Sequence, residues 1–188
     1  MEIKTEQLHP LFCAKGKGID MRQDDSREKI SALKSILDKY AVYAAPHKVP
    51  LTNEEHIAFS ALLGPIARKS APKISGTGIR LPFNEIVDQS NLDGGNKIFE
   101  NGDKRLAYKR ANRQWHTDMS YRTNRATWSL LSAHVVPPNG GETEVADMRA
   151  VYDDLPEKMK SRLEGLIAEH CYWHSRVRGG GPEPTPEE

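Results

Sequence analysis

The chain has 188 residues, 37% of them apolar, and sets 27 Lys and Arg against 26 Asp and Glu. That length suits one domain, and a formal charge of +1 with no basic run denser than KRANR at 109–113 leaves no case for a nucleic-acid partner. With no 18-residue apolar run, no signal-like start in MEIKTEQLHP and no CxxC from Cys13 and Cys171, the expectation is no membrane span, free thiols and a cytoplasmic protein.

DSREKISALKSILDKY at 25–40 reads as a helix, because Ile30, Leu33, Leu37 and Tyr40 recur at three or four. Asp25 and Glu28 have capping-box spacing at its start. AVYAAP at 41–46 reads as a short strand that Pro46 ends. PLTNEEHIAFSALLG at 50–64 carries a second helix, with Thr52 and Glu55 as its capping box and Gly64-Pro65 as its stop. RKSAPKISGTGIRLP at 68–82 has little periodicity and reads as loop. NEIVDQSNLDGGN at 84–96 suggests a strand ending in the turn Asp93-Gly94-Gly95.

After a polar stretch, WHTDMSY at 115–121 has the look of a short strand, and ATWSLLSAHVV at 126–136 is the best strand run in the chain. PPNGG at 137–141 stops it. GETEVADM then resumes an extended pattern. DDLPEKMKSRLEGLIAEH at 153–170 reads as one helix, capped by Asp154 and Glu157, with Met159, Leu163, Leu166 and Ile167 along one face. RGGGPEPTPEE at the end has the composition of a flexible tail.

Chemistry concentrates at His116 and Asp118. Two residues apart on an extended segment share a face. An imidazole and a carboxylate placed so begin a 2-His-1-carboxylate triad, which fills one face of an octahedral metal and leaves the other open. The same pair also suits a buried histidine bonded to a neighbouring carboxylate. His170 and His174, four apart, have helical metal spacing, but Tyr172-Trp173 lies between them. His134 on the strand run reads as an ordinary core or surface histidine.

WHTDMSY, ATWSLLSAHVV and above all PPNGGETEVADMRAVYDDLP resemble the TauD/TfdA family of Fe(II)- and 2-oxoglutarate-dependent dioxygenases, in particular its 2,4-dichlorophenoxyacetate dioxygenase branch. The resemblance runs from LHPLF at 8–12 to EHCYWHSR at 169–176. It implies a mostly β fold with flanking helices, an incomplete double-stranded β-helix (a cupin-like jelly roll). It also implies that residues 1–176 are the amino-terminal part of such a domain, with 177–188 a flexible polar tail or truncated loop. The resemblance makes His116 the first iron-ligating histidine and Asp118 the iron-ligating carboxylate. It makes Thr143 the hydroxyl that helps hold a 2-oxoglutarate carboxylate, and Asn112 a substrate-side amide. Trp115 is expected to pack behind the metal strand.

The cofactor and cosubstrates so implied are Fe(II), 2-oxoglutarate and O2. The reaction is hydroxylation of a small organic acid, of phenoxyacetate type, with succinate and CO2 as by-products. Lys73, Lys97, Lys104, Lys109, Arg110 and Arg113 precede His116 and are candidates to meet the anion. The second iron-binding histidine and the arginine for the distal carboxylate have no match in the chain, so its own activity stays open. A taurine or alkylsulfonate substrate is the alternative within the family. Outside it stand an inactive truncated β-fold protein and a cupin-type metalloenzyme, although no His-x-His pair occurs. A homo-oligomer is left open.

Overall fold

The structure is a computed structural model that describes residues 3–23, 26–68, 80–103, 105–106, 109, 111–181 and 183–186. Two compact units form. The first combines residues 1–65 with 130–167, and the second combines 66–129 with 168–188.

In the first unit, β1 (Lys4–Gln7) and β2 (Ala14–Lys17) pair antiparallel, with Lys4 opposite Lys17 and Gln7 opposite Ala14. β3 (Tyr43–Ala44) joins the other edge of β2 in parallel, so the order is β1-β2-β3. The helix α1 (Arg27–Tyr40) supplies the crossover between β2 and β3 that parallel pairing demands. Its cap is Ser26, which accepts from the Lys29 amide, whereas Asp25 lies outside the described residues. α2 (Asn53–Leu63) starts with the expected capping box: Thr52 accepts from the Glu55 amide and Glu55 accepts from the Thr52 amide. The core gathers Phe12, Ala14, Ile30, Leu33, Phe59 and Leu63, and Phe59 and Leu33 are each only 2% exposed. Gly16 sits beneath the Tyr43 ring, where any Cβ would collide with it. The β3 segment was legible in the sequence; the β1–β2 hairpin was not.

Of the long helix expected at 153–170 only a short stretch, Glu157–Leu163, forms, and a separate short helix ends where the expected one would begin. α3 (Met148–Asp153) is capped by Asp147, which accepts from the Arg149 amide. Arg149 in turn binds Asp147 through its guanidinium and donates Nη1–H to the Asp38 carbonyl at 2.7 Å, tying α3 to α1. α4 (Glu157–Leu163) begins after Pro156 with no side-chain cap, so Asp154 closes α3 instead of opening α4. Gly165 then takes φ +74, and the chain stays non-helical to His170. Leu166 and Ile167, read as part of a buried face, are 69% and 94% exposed.

The jelly roll does not form. The sheet is open and has three strands of four, four and two residues, and helix outweighs strand among the described residues. Past Ala44, β-pairing among them is the single antiparallel bridge Leu92↔Ile98, around a turn in which Asp93 Oδ1 accepts from the Gly95 and Lys97 amides. ATWSLLSAHVV is not in a ladder, and Leu131, Val135 and Val136 are 67%, 88% and 77% exposed. The physical reason is that alternation prepares a strand but a second strand makes one. Without a neighbour to meet its N–H and C=O groups, an apolar run is not sheet.

In the second unit the described residues contain no buried apolar side chain, and polar contacts order the chain instead. Arg80 grips Asp88 through two 2.7 Å hydrogen bonds. Lys109 donates to the Asp88 and Ser90 carbonyls, and Phe99 lies against the Arg105 guanidinium at 4.1 Å. α5 (Tyr172–Arg178) closes this unit. Its end is built by the glycine run: Gly180 has φ +84 and donates to the Val177 carbonyl, and Gly181 donates to the Arg176 carbonyl.

Candidate functional site

His116 and Asp118 lie in a loop, not on a strand. A single 3-10 turn, Ala111–Arg113, precedes them. The Ser120 amide donates to the Thr117 carbonyl at 3.4 Å, the Arg122 amide donates to the Met119 carbonyl at 3.0 Å, and Met119 has φ +53. The expected strand at WHTDMSY is thus replaced by turns, which still bring residues i and i+2 onto one side. Trp115, expected to pack behind the metal pair, is 70% exposed.

His116 Nδ1 lies 2.7 Å from the Gln114 carbonyl oxygen. A carbonyl only accepts, so Nδ1 carries the hydrogen. In the neutral ring Nε2 then holds a lone pair, and Nε2 lies 3.3 Å from Asp118 Oδ1. Two acceptors that close leave room for one positive charge between them, a proton or a metal cation. Donors bound at right angles to one metal at about 2.1 Å would stand about 3 Å apart. A ligating histidine that gives its other N–H to a backbone carbonyl is also the arrangement that fixes a metal-bound imidazole. The residues therefore fit a divalent cation as two of its donors. Among the described residues no group of three His, Cys, Asp or Glu side chains converges on one point.

Asn112, in the 3-10 turn, belongs to the same unit. Its Nδ2 donates to Gln89 Oε1 at 3.1 Å and its Oδ1 accepts from Arg176 Nη1 at 2.8 Å. Thr143 belongs to the other unit, exposed in the irregular segment 141–147. Of the candidate anion partners, Lys109 is committed to the Asp88 and Ser90 carbonyls, and burial pushes its ammonium down from the usual range. Arg113 is exposed. Lys73, Lys104 and Arg110 lie outside the described residues. His170 lies ahead of α5 and His174 within it, so the two do not share the helix that their spacing suggested, and His170 Nδ1 lies 2.9 Å from Ser120 Oγ.

A family profile described as "Taurine catabolism dioxygenase TauD, TfdA family" matches residues 4–188. The chain belongs to the TauD/TfdA family. It is 36% identical over 176 residues to the alpha-ketoglutarate-dependent 2,4-dichlorophenoxyacetate dioxygenase of Cupriavidus pinatubonensis, covering 94% of this chain and 61% of that relative. The enzyme of the same name from Burkholderia sp. is 36% identical over 183 residues, 97% of this chain and again 61% of the relative. The chain thus spans about three-fifths of the length of these family members. The crystal structure of AAD-2 in complex with Mn(II) and N-oxalylglycine superposes with a TM-score of 0.89 at 35% identity, over 100% of this chain and 64% of that one.

Sequence reading missed the residues around the pair. The carbonyl of Gln114 carries no side-chain signal. Arg176 reaches Asn112 across 64 positions, a separation at which local periodicity is silent.

Proposed function

We propose that this chain carries two iron donors and one cosubstrate residue of an Fe(II)- and 2-oxoglutarate-dependent dioxygenase acting on a small organic anion of phenoxyacetate type. The observation that carries the reading is the His116–Asp118 pair, 3.3 Å apart with the far imidazole nitrogen tied to a carbonyl. The 36% identity to two relatives named for 2,4-dichlorophenoxyacetate supports the substrate class.

His116 Nε2 and Asp118 Oδ1 would hold Fe(II), and the Gln114 carbonyl would keep the ring turned toward it. Bound Fe(II) supplies activation of O2 coupled to oxidative decarboxylation of 2-oxoglutarate to succinate and CO2, with hydroxylation of the substrate. Thr143 would donate its hydroxyl hydrogen to a 2-oxoglutarate carboxylate. Asn112 would meet the substrate side with the amide hydrogen not given to Gln89. None of these residues needs to act as a nucleophile.

The test has two arms. Mn(II) binding to the 188-residue chain, followed by the loss of the free-ion resonance, should be present and should fall in His116→Ala and Asp118→Ala. With Fe(II), 2-oxoglutarate and phenoxyacetate, the same chain should release succinate no faster than free Fe(II), because two donors leave the metal under-held. Turnover that responds to taurine but not to phenoxyacetate would move the substrate class to sulfonates. Mn(II) binding indifferent to both substitutions would sink the metal reading.

A further inference from the structure

We propose that Arg176 is a positioning residue: it orients the Asn112 amide and, with His170 and Tyr172, clamps the loop that carries His116 and Asp118. The loop has little to hold itself. Residues 114–121 include no ladder, and their turn bonds at Ser120 and Arg122 are local. One segment, His170 to Arg176, reaches both of its ends, while Gln89 also meets Asn112. On the near side Arg176 Nη1 donates to Asn112 Oδ1 at 2.8 Å. On the far side His170 Nδ1 meets Ser120 Oγ at 2.9 Å, and the Tyr172 and Tyr121 rings meet edge to face at 5.2 Å. The contacts at 112 and at 120–121 straddle the donor pair.

Arg176 does more than add a contact. A guanidinium has no acceptor, so the Asn112 oxygen must face it and the amide nitrogen must face away, toward Gln89. The guanidinium lies over the Tyr172 ring at 4.9 Å, which sets its plane. The backbone beneath is closed by the Gly181 amide, which donates to the Arg176 carbonyl at 2.9 Å. A Cβ at Gly181 would crowd that carbonyl, so the cap favours glycine there. The side chain is thereby pre-aimed, and pinning both ends of a short loop removes conformations that would separate His116 from Asp118. The consequence for a bound metal rests on the reading of that pair as donors; the clamp itself does not.

The experiment uses the full chain without metal, so its result is independent of the metal reading. Hydrogen exchange is measured at the Ser120 and Arg122 amides, with the nitrogen resonances of the His116 ring recorded alongside. Arg176→Met and Asn112→Ala should each speed exchange there by about tenfold, the scale of one charge-assisted hydrogen bond. The double variant should be no faster than either single one. Arg176→Lys, which keeps one donor, should fall between. The His116 ring should pass from a single Nδ1–H tautomer to a mixture in Arg176→Met. If Arg176→Met does not fold, Arg176→Lys and Asn112→Ala carry the same comparison. Unchanged exchange in the variants, additive effects in the double variant, or equal acceleration around Arg80 and Asp88 would each overturn the proposal.

Discussion

Nε2 of His116 stands 3.3 Å from Oδ1 of Asp118 although neither residue is on a strand. A loop brings them together, and a carbonyl, that of Gln114, decides which imidazole nitrogen faces the carboxylate. Removing the carboxylate should therefore cost more than removing any residue behind it. Asp118→Ala is expected to weaken Mn(II) binding by on the order of a hundredfold or more, against ten- to a hundredfold for a typical supporting contact. Titration of the free Mn(II) resonance measures it.

Thr143→Ala should act more mildly. One hydroxyl hydrogen bond to a charged carboxylate contributes about 1.5–3 kcal/mol, or roughly ten- to a hundredfold in affinity. The loss should appear in 2-oxoglutarate binding and leave Mn(II) binding alone. Anaerobic titration of the Fe(II)–2-oxoglutarate absorption band, in a form of the protein that binds both, distinguishes the two. An unchanged 2-oxoglutarate affinity would return Thr143 to the role of an ordinary exposed residue.

The Arg80–Asp88 pair should make the second unit sensitive to acid. Hydrogen bonds from the Arg80 guanidinium, helped by the Ser90 hydroxyl, hold the Asp88 carboxyl below the usual carboxylate range. A depressed carboxyl adds stability that is present above its unfolded value near 4 and is lost as pH falls through the lower folded value. Asp88→Asn should therefore destabilise at pH 7 by about 1 kcal/mol, since water reaches the pair. The difference from the parent should shrink steadily below pH 4. Urea unfolding followed across pH checks both the sign and the window.

Tyr43 offers a stabilising substitution. Its hydroxyl is buried with no hydrogen-bond partner among the described residues, and burial pushes its ionisation upward. Tyr43→Phe removes the unmet group and keeps the ring, so it should gain about 1 kcal/mol. Gly16→Ala should do the reverse, because the new methyl must displace that ring from the β2–β3 edge. Thermal unfolding of the two variants should move in opposite directions.

α1, α2, the capping box at Thr52 and Glu55, and the strand at Tyr43 were legible in the chain, because each is set by residues within a few positions of one another. The candidate pair was legible for the same reason: His116 and Asp118 are two apart, and turns serve as well as a strand to place them on one side. Local pattern misled where the outcome depends on a distant partner. Val135 and Val136 have the alternation and branching of a strand, yet no neighbouring strand meets them among the described residues and they stay exposed. Ile167 continues a helical stripe, but Gly165 turns the chain out of the helix before it. Arg149 on Asp38 and Arg176 on Asn112 were decided only by the tertiary structure. A long side chain can reach any acceptor that folding brings near, and nothing local says which one that will be.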